Sequence, residues 1–296
     1  MVVIREIETF KLLPLSETDI AKRLNLSSGT ISKITKKMIK NGLAKKNRQG
    51  MKIIVEIAQT SHAQKLEVII KTFNRLPLEN ILSYSKLNLI AILEYPLNKK
   101  EISEMINVSR QWAYKTIKDL SRYGIILKKQ TGYYINPIHQ PLFEFAKEYY
   151  NYKNHQTLKT ISEDAQIVWQ HGTEFLFKSK KALTKYPETA VTAFSKYNLP
   201  LLGDTKYYYN VERQLQITDI ILHTILINPQ SKTYNAYACL LYEKTKPTDI
   251  IKKARIYNLT EHIQILISFI EKQESGKKFM PTWDEFKSLT KQYGVR

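Results

Sequence analysis

The chain is 296 residues long and carries 46 Lys+Arg against 27 Asp+Glu, a formal net charge of +19. That length holds two or three domains with their own cores, and the charge points to a polyanionic partner. The single cysteine, Cys239, excludes an intramolecular disulfide framework and a cysteine-based zinc site. No apolar run approaches the roughly 20 residues of a membrane-spanning helix, and the acidic residues near the start do not resemble a signal peptide. A cytoplasmic protein with no membrane partner is expected. The charge is uneven: residues 1–137 hold 24 basic against 11 acidic side chains, and residues 138–296 hold 22 against 16.

The stretch beginning TDIAKRLNLSSGTISKITKKMIKNGL at Thr18 reappears without a gap 82 positions later as KEISEMINVSRQWAYKTIKDLSRYGI. Pro14/Pro96, Ile20/Ile102, Asn25/Asn107, Ser27/Ser109, Lys33/Lys115, Gly42/Gly124 and Gly50/Gly132 are identical in this register. Identities scattered along one fixed offset mark an internal duplication. Each copy predicts a short helix (Ile20-Ala21-Leu24, or Ile102-Ser103-Ile106), a small-residue turn and a longer helix. The buried face of the longer helix is Ile31, Ile34 or Thr35, and Met38 in the first copy, and Ala113, Ile117 and Leu120 in the second. Ser27 and Ser109 stand where an N-cap is needed, and Gly42 and Gly124 where a left-handed residue ends a helix. Two extended segments follow in each copy: Leu43 to Arg48 and Met51 to Ile57 after Gly50, then Ile125 to Lys129 and Tyr133 to Ile135 after Gly132.

This order resembles the winged helix-turn-helix family, most closely bacterial and archaeal regulators with a pattern like LSxxTISKxxKxMxxxGL. The resemblance covers roughly residues 3–58 and 86–137. It implies recognition helices at 28–41 and 109–123. The first leaves Ser28, Thr30, Ser32, Lys33, Lys36 and Lys37 outward: short hydroxyls that approach base edges, and ammonium groups that reach phosphates. The second offers Arg110, Gln111, Trp112, Tyr114, Lys115 and Lys118. Arg pairs with guanine and Gln with adenine in the major groove, and the aromatic rings suit a thymine methyl or the sugar-phosphate wall. Lys45, Lys46, Arg48 and Lys52 on the first wing, and Lys128 and Lys129 on the second, would add phosphate contacts. The alternative for either copy is a docking or dimerisation module whose lysines form a solvated face.

Between the copies, HAQKLEVIIKTFNRLP predicts a helix with Leu66, Ile69, Ile70 and Phe73 on one side, a spacer or dimer contact ending at Pro77. Beyond Pro137 come a helix from Pro141 to Tyr152, an extended QIVWQ, a helix TEFLFKSKKALTKY that stops before Pro187, and an extended DTKYYYNV. Helices dominate from Arg213, including a Thr248-capped TDIIKKARIY and a final WDEFKSLTKQY. TDIIKKARIYNL echoes TDIAKRLNL. Its first helix would be about two residues too long, and its partner EHIQILISFIEK exposes too little positive charge to read DNA. Thr192 to Leu199, and Val211-Glu212-Arg213 with Asp219 and His223, are faintly similar to the C-terminal domains of type IV abortive-infection antitoxins and related archaeal regulators. That resemblance implies that Arg213, Asp219 and His223 are intradomain partners rather than catalysts, and that Asn198 occupies a left-handed position.

The expected fold is mainly α with small β-wings: winged helix-turn-helix domains at 1–60 and 86–137, a helical linker at 61–85, and a mostly helical α+β domain at 138–296. Neither a P-loop nor a Gly-x-Gly-x-x-Gly site occurs among the nine glycines. The nuclease-like pair Pro187-Glu188 and Asp204-Thr205-Lys206 is short and degenerate, and a surface turn explains it. No enzyme activity, cofactor or metal is expected. The partner is double-stranded DNA, and the function a sequence-specific transcription regulator. The C-terminal domain would serve a homodimer, an effector or a protein partner such as the transcription machinery or a toxin. The same features also suit a plasmid-type replication initiator, or an antitoxin that autoregulates its operon.

Overall fold

The computed structural model describes residues 4–50, 52–201, 203–211, 213–274 and 277–295. The chain divides into two compact units, residues 1–154 with 171–173, and residues 155–170 with 174–296. Among the described residues no helix is long and apolar enough to cross a membrane.

The first unit opens with α1 (Ile4–Phe10), β1 (Leu15–Ser16), α2 (Glu17–Leu24), α3 (Ser28–Lys40), β2 (Ala44–Gln49) and β3 (Lys52–Ile57). Ser16 caps α2, and Ser27 caps α3 by accepting the Thr30 amide at 3.2 Å. Between the helices Asn25 takes φ 51°, ψ 48°. That left-handed residue, cheapest for Asn after Gly, turns the chain so that the Leu26 amide reaches the Ala21 carbonyl at 3.0 Å. Gly42 at φ 68° ends α3. Ile31, Thr35 and Met38 form the buried face of α3, so Thr35 rather than Ile34 faces inward. The three strands form an antiparallel sheet in the order β1-β3-β2.

The helix α4 (Ser61–Thr72) is not a free spacer. The Thr60 hydroxyl donates to the Gly42 carbonyl at 2.6 Å, and the His62 Nε2 meets the Asn41 carbonyl at 2.8 Å. Both contacts satisfy carbonyls that the end of α3 leaves unpaired. After α5 (Leu78–Ile81) the order repeats as α6 (Tyr84–Ile92), α7 (Lys99–Met105), α8 (Arg110–Arg122), β4 (Ile126–Lys129) and β5 (Gly132–Ile135). Asn107 repeats the left-handed turn at φ 51°, Ser109 caps α8 through the Trp112 amide, and Gly124 at φ 66° ends it.

The wings differ. Leu15 bridges Val55 and Ala44 pairs with Ile57 in the first sheet, whereas Leu97 bridges Tyr133 and Ile126 pairs with Ile135 in the second. The entering residues lie 82 apart and the returning ones 78 apart, so the second hairpin is four residues shorter. The identity Gly50/Gly132 is therefore not a structural equivalence. Gly50 (φ 62°) sits at the first wing's tip, and Met51 beside it lies outside the described residues. Gly132 (φ 144°) lies within β5 against the Leu97 backbone.

The helix α9 (Gln140–Ile161) carries the first unit past the expected boundary at 137. Its Leu142, Phe145 and Tyr149 are buried, the Tyr150 hydroxyl donates to the Tyr84 carbonyl at 3.1 Å, and Lys153 reaches Asn41 at 3.3 Å.

In the second unit β6 (Gln166–His171), β7 (Glu174–Ser179) and β8 (Lys206–Tyr209) form one sheet. The segment expected as the helix TEFLFKSKKALTKY is β7 followed by a loop. Leu176 enters one apolar cluster while Phe175 and Phe177 enter another, so successive residues point to opposite buried faces as a strand requires. A short 3-10 helix, Ala190–Tyr197, ends at the left-handed Asn198. There follow α10 (Ile217–Ile227), α11 (Lys232–Thr245), α12 (Ile250–Ala254), α13 (Thr260–Lys272) and α14 (Trp283–Gln292). Thr248 does not cap α12. Asp249 occupies that position without a side-chain hydrogen bond, because its φ −96°, ψ 3° is not the extended conformation that aims a cap at the first turn.

Two glycines distinguish backbone strain from collision. Alanine at Gly124 would meet nothing within 4 Å, so Gly124→Ala should cost only the left-handed penalty, about 1–2 kcal/mol. At Gly132 a Cβ would stand 2.5 Å from the Leu97 carbonyl carbon. Gly132→Ala should cost about 3 kcal/mol or more, measured by urea unfolding, with equal losses at the two sites counting against the close approach.

Candidate nucleic-acid interface

Ser28, Thr30, Lys33 and Lys36 are exposed along α3, and Ser32 is half-buried. The Thr30 hydroxyl shares a 2.8 Å hydrogen bond with the capping Ser27. Lys37 is committed elsewhere: its Nζ lies 2.6 Å from Glu6, whose side chain is 2% exposed. The wing lysines are also drawn into pairs. Lys46 meets Glu17 at 2.9 Å and Lys45 meets Glu56 at 3.8 Å. Both stand on β2 near its start rather than at the wing tip. Arg48 and Lys52 are the exposed cations at the tip, with the Arg48 Nε donating to the Gly50 carbonyl at 3.2 Å.

Glu17 is a residue the sequence pattern did not single out. From the start of α2 it accepts the Thr35 hydroxyl of α3 and pairs with Lys46 of β2. Burial would raise its carboxyl, but the hydrogen bonds from Thr35 and Lys46 outweigh burial and hold it below the ordinary range. One carboxylate thus fixes the recognition helix relative to both its partner helix and the wing. The available signal was Thr35, a polar residue on an apolar stripe, which needs a buried partner.

On α8 Arg110 and Gln111 are exposed at the N-terminal end, with Lys115 and Lys118 along the side and Trp112 half-buried. Tyr114 is 48% exposed, and the Lys99 ammonium of α7 stands 4.0 Å from its ring centre. Lys128 and Lys129 are exposed on β4, with Lys129 over the Tyr134 ring at 5.1 Å. The two helices are held through opposite charge arrangements. In the first the acid Glu6 is on α1 and the base Lys37 on α3; in the second the base Lys86 is on α6 and the acid Asp119 on α8, 3.7 Å apart.

The winged helix-turn-helix DNA-binding family HTH_24 matches residues 14–45, from before β1 through α2 and α3 into β2. That segment is a winged helix-turn-helix. The C-terminal family HVO_2833_C matches residues 183–295 of the second unit. No curated protein and no solved structure matches the chain.

The second unit brings together Arg213, Asp219 and His223; Glu212 lies outside the described residues. Asp219 is fully buried and receives Arg213 at 3.2 Å and Lys253 at 2.8 Å. Burial would raise its carboxyl, but His223, Arg213 and Lys253 together hold it below the ordinary range. His223 contacts Thr189 at 2.8 Å and Tyr257 at 3.1 Å and stacks on Tyr209. Burial pushes it down to about 3, against the pull of Asp219. Both of its ring nitrogens are engaged, and it has no exposure. Of the nuclease-like pair, Glu188 and Lys206 meet at 3.1 Å, and Asp204 is exposed.

Two outcomes follow. Lys36→Ala should lower DNA affinity and reduce the salt slope by about 0.9. Lys37→Ala should instead destabilise the fold by roughly 1–3 kcal/mol by uncovering Glu6, with Glu6→Gln recovering part of the loss. Anisotropy titrations and urea melts separate the two, and equal folding losses would merge the roles.

His223, at about 3, and His171, lowered by burial to about 4, are neutral in the fold and protonate in the unfolded chain. Their contribution is complete above about pH 6.5 and is lost as pH falls towards 4, because the unfolded state then binds more protons. Each supplies a slope of up to about 1.4 kcal/mol per pH unit. His223→Gln should flatten the stability profile between pH 6.5 and 4, and an unchanged slope would place the acid sensitivity elsewhere.

Proposed function

We propose that the protein is a sequence-specific double-stranded DNA-binding transcription regulator that inserts both α3 and α8 into the major groove. The observation that carries this is the match of residues 14–45 to winged helix-turn-helix DNA-binding domains, together with a capped α3 whose exposed face holds Ser28, Thr30, Lys33 and Lys36. Such a helix presents its N-terminal residues to base edges and its flank to phosphates.

The same geometry supports α8 as a second reader. It shares the length of α3, its serine cap, the left-handed asparagine before it and a following hairpin. Its exposed Arg110 and Gln111 have the paired hydrogen-bonding geometry that discriminates guanine and adenine, which Ser28 and Gly29 at the corresponding positions lack. The division of labour follows. The first copy grips more than it reads, with a longer wing tipped by Arg48 and Lys52, and the second copy supplies specificity.

Selection of bound duplexes from random sequence by the purified full chain tests this reading. Enrichment of an asymmetric site is expected, since the two reading faces differ. Arg110→Ala should cost about 1–3 kcal/mol at particular base pairs and relax preference there. A uniform loss across all duplexes would make Arg110 a phosphate contact, and a selection without enrichment would end the reading.

A further inference from the structure

The second unit holds a concentration of positive charge that the winged helices do not use. Lys178 near the end of β7, and Lys180, Lys181 and Lys185 on the loop that leaves it, fall within eight residues. Side chains hold this loop in place. Asp164 accepts the Lys180 amide at 2.7 Å and the Ser179 hydroxyl at 3.0 Å. The Tyr208 hydroxyl donates to the Lys181 carbonyl at 3.1 Å and accepts from the Leu183 amide at 3.1 Å. Leu183 and Tyr186 pack onto Phe177 and Tyr208. The residues left exposed are Lys180, Lys181, Ala182, Thr184 and Lys185.

Two neighbouring carboxylates are engaged, while Glu163 is exposed. Asp164 accepts the hydroxyl of neighbouring Ser162 and the loop's Lys180 amide, which push it down to about 2. Glu188 is paired with Lys206. Lys180, Lys181 and Lys185 make no ion pair among the described residues, unlike Lys37, Lys45 and Lys46. The exposed set contains ammonium groups, a hydroxyl and a methyl, and no large apolar side chain to enter lipid or anchor a protein interface. Ammonium and hydroxyl groups on a fixed backbone suit phosphate oxygens and carry no base-reading geometry.

We propose that this loop is a further DNA-contact surface, which grips the phosphate backbone of duplex DNA independently of base sequence. It rests on the DNA-binding reading above and adds a contact in a unit that reading leaves unassigned. Each phosphate the loop neutralises releases counterions and adds about 0.9 to the salt slope.

The test uses the full chain and a Lys180→Ala/Lys181→Ala/Lys185→Ala variant, with the triple arginine variant as the charge-preserving control. Affinity for a duplex of about 40 base pairs is measured from low to high salt, after circular dichroism establishes equal folding. The alanine variant should show a slope shallower by about 2–3, an unchanged ratio between selected and scrambled duplexes, and rescue by arginine. An unchanged slope overturns the proposal. So does an unchanged slope with lost binding to phosphatidylserine vesicles, which would assign the loop to membrane surfaces. A parent chain that binds no duplex overturns both this proposal and the DNA-binding reading. A shallower slope in Lys33→Ala/Lys36→Ala, with an unaffected slope in the loop variant, removes the loop alone.

Discussion

The left-handed turn at Asn25 is the constraint on which the first unit depends. It reverses the chain in three residues, so α2 and α3 cross closely enough for Glu17 at the start of one to hold Thr35 in the middle of the other. The same carboxylate holds Lys46 and so fixes the wing. Asparagine rather than glycine lets the position adopt positive φ without adding freedom to the unfolded chain. The device recurs at Asn107 and again at Asn258, where φ is 56° and the Leu259 amide reaches the Ala254 carbonyl at 2.9 Å. The occurrence at Asn258 joins α12 to α13, a helix whose exposed residues are Glu261, Gln264, Glu271 and Lys272. A turn can therefore recur without the surface that would make it a nucleic-acid reader.

Burial and pairing sort the lysines by role. A positive stripe on a helix looks uniform in sequence, yet a buried carboxylate beside one member changes what that member is for. Glu6 claims Lys37, while Lys33 and Lys36 on the same helix remain exposed. Removing Lys37 leaves a charge in a place where desolvation is expensive, whereas removing Lys36 leaves water. Equal charges thus divide between holding the helix and facing solvent.

Much of the first unit was legible because its signals are local. Ser27 and Ser109 cap the helices the periodicity predicted, and Gly42 and Gly124 end them with positive φ. The chemistry of a cap or a left-handed residue needs only a few neighbours. What was not legible depends on distant partners. β7 reads as a helix because both its faces are buried, which erases the polar-apolar alternation that marks a strand. Gly50 and Gly132 match in the linear register although a hairpin shortened by four residues separates their roles, and only the pairings of Val55 and Tyr133 reveal it. The exposed face of α3 was legible at Ser28, Thr30, Lys33 and Lys36. The removal of Lys37, Lys45 and Lys46 from the free set was not, since Glu6, Glu17 and Glu56 lie 31, 29 and 11 residues away.

Divergence between the two copies has a physical direction. Glu6 and Lys37 become Asn88 and Asp119 at the fixed offset, while Lys86 supplies the base from the first helix instead. The helix-to-helix attraction survives with its sign inverted, so the packing is retained while α8 acquires an acid on its flank. That acid, itself near Arg122 at 3.6 Å, lowers the positive field along α8 relative to α3. A helix that attracts phosphate less strongly depends more on contacts to base edges. Arg110 and Gln111 are the side chains exposed at the N-terminus of α8, and the second copy has the shorter wing. Charge inversion, wing length and reading residues therefore change together, as they would if one copy were specialising for grip and the other for discrimination.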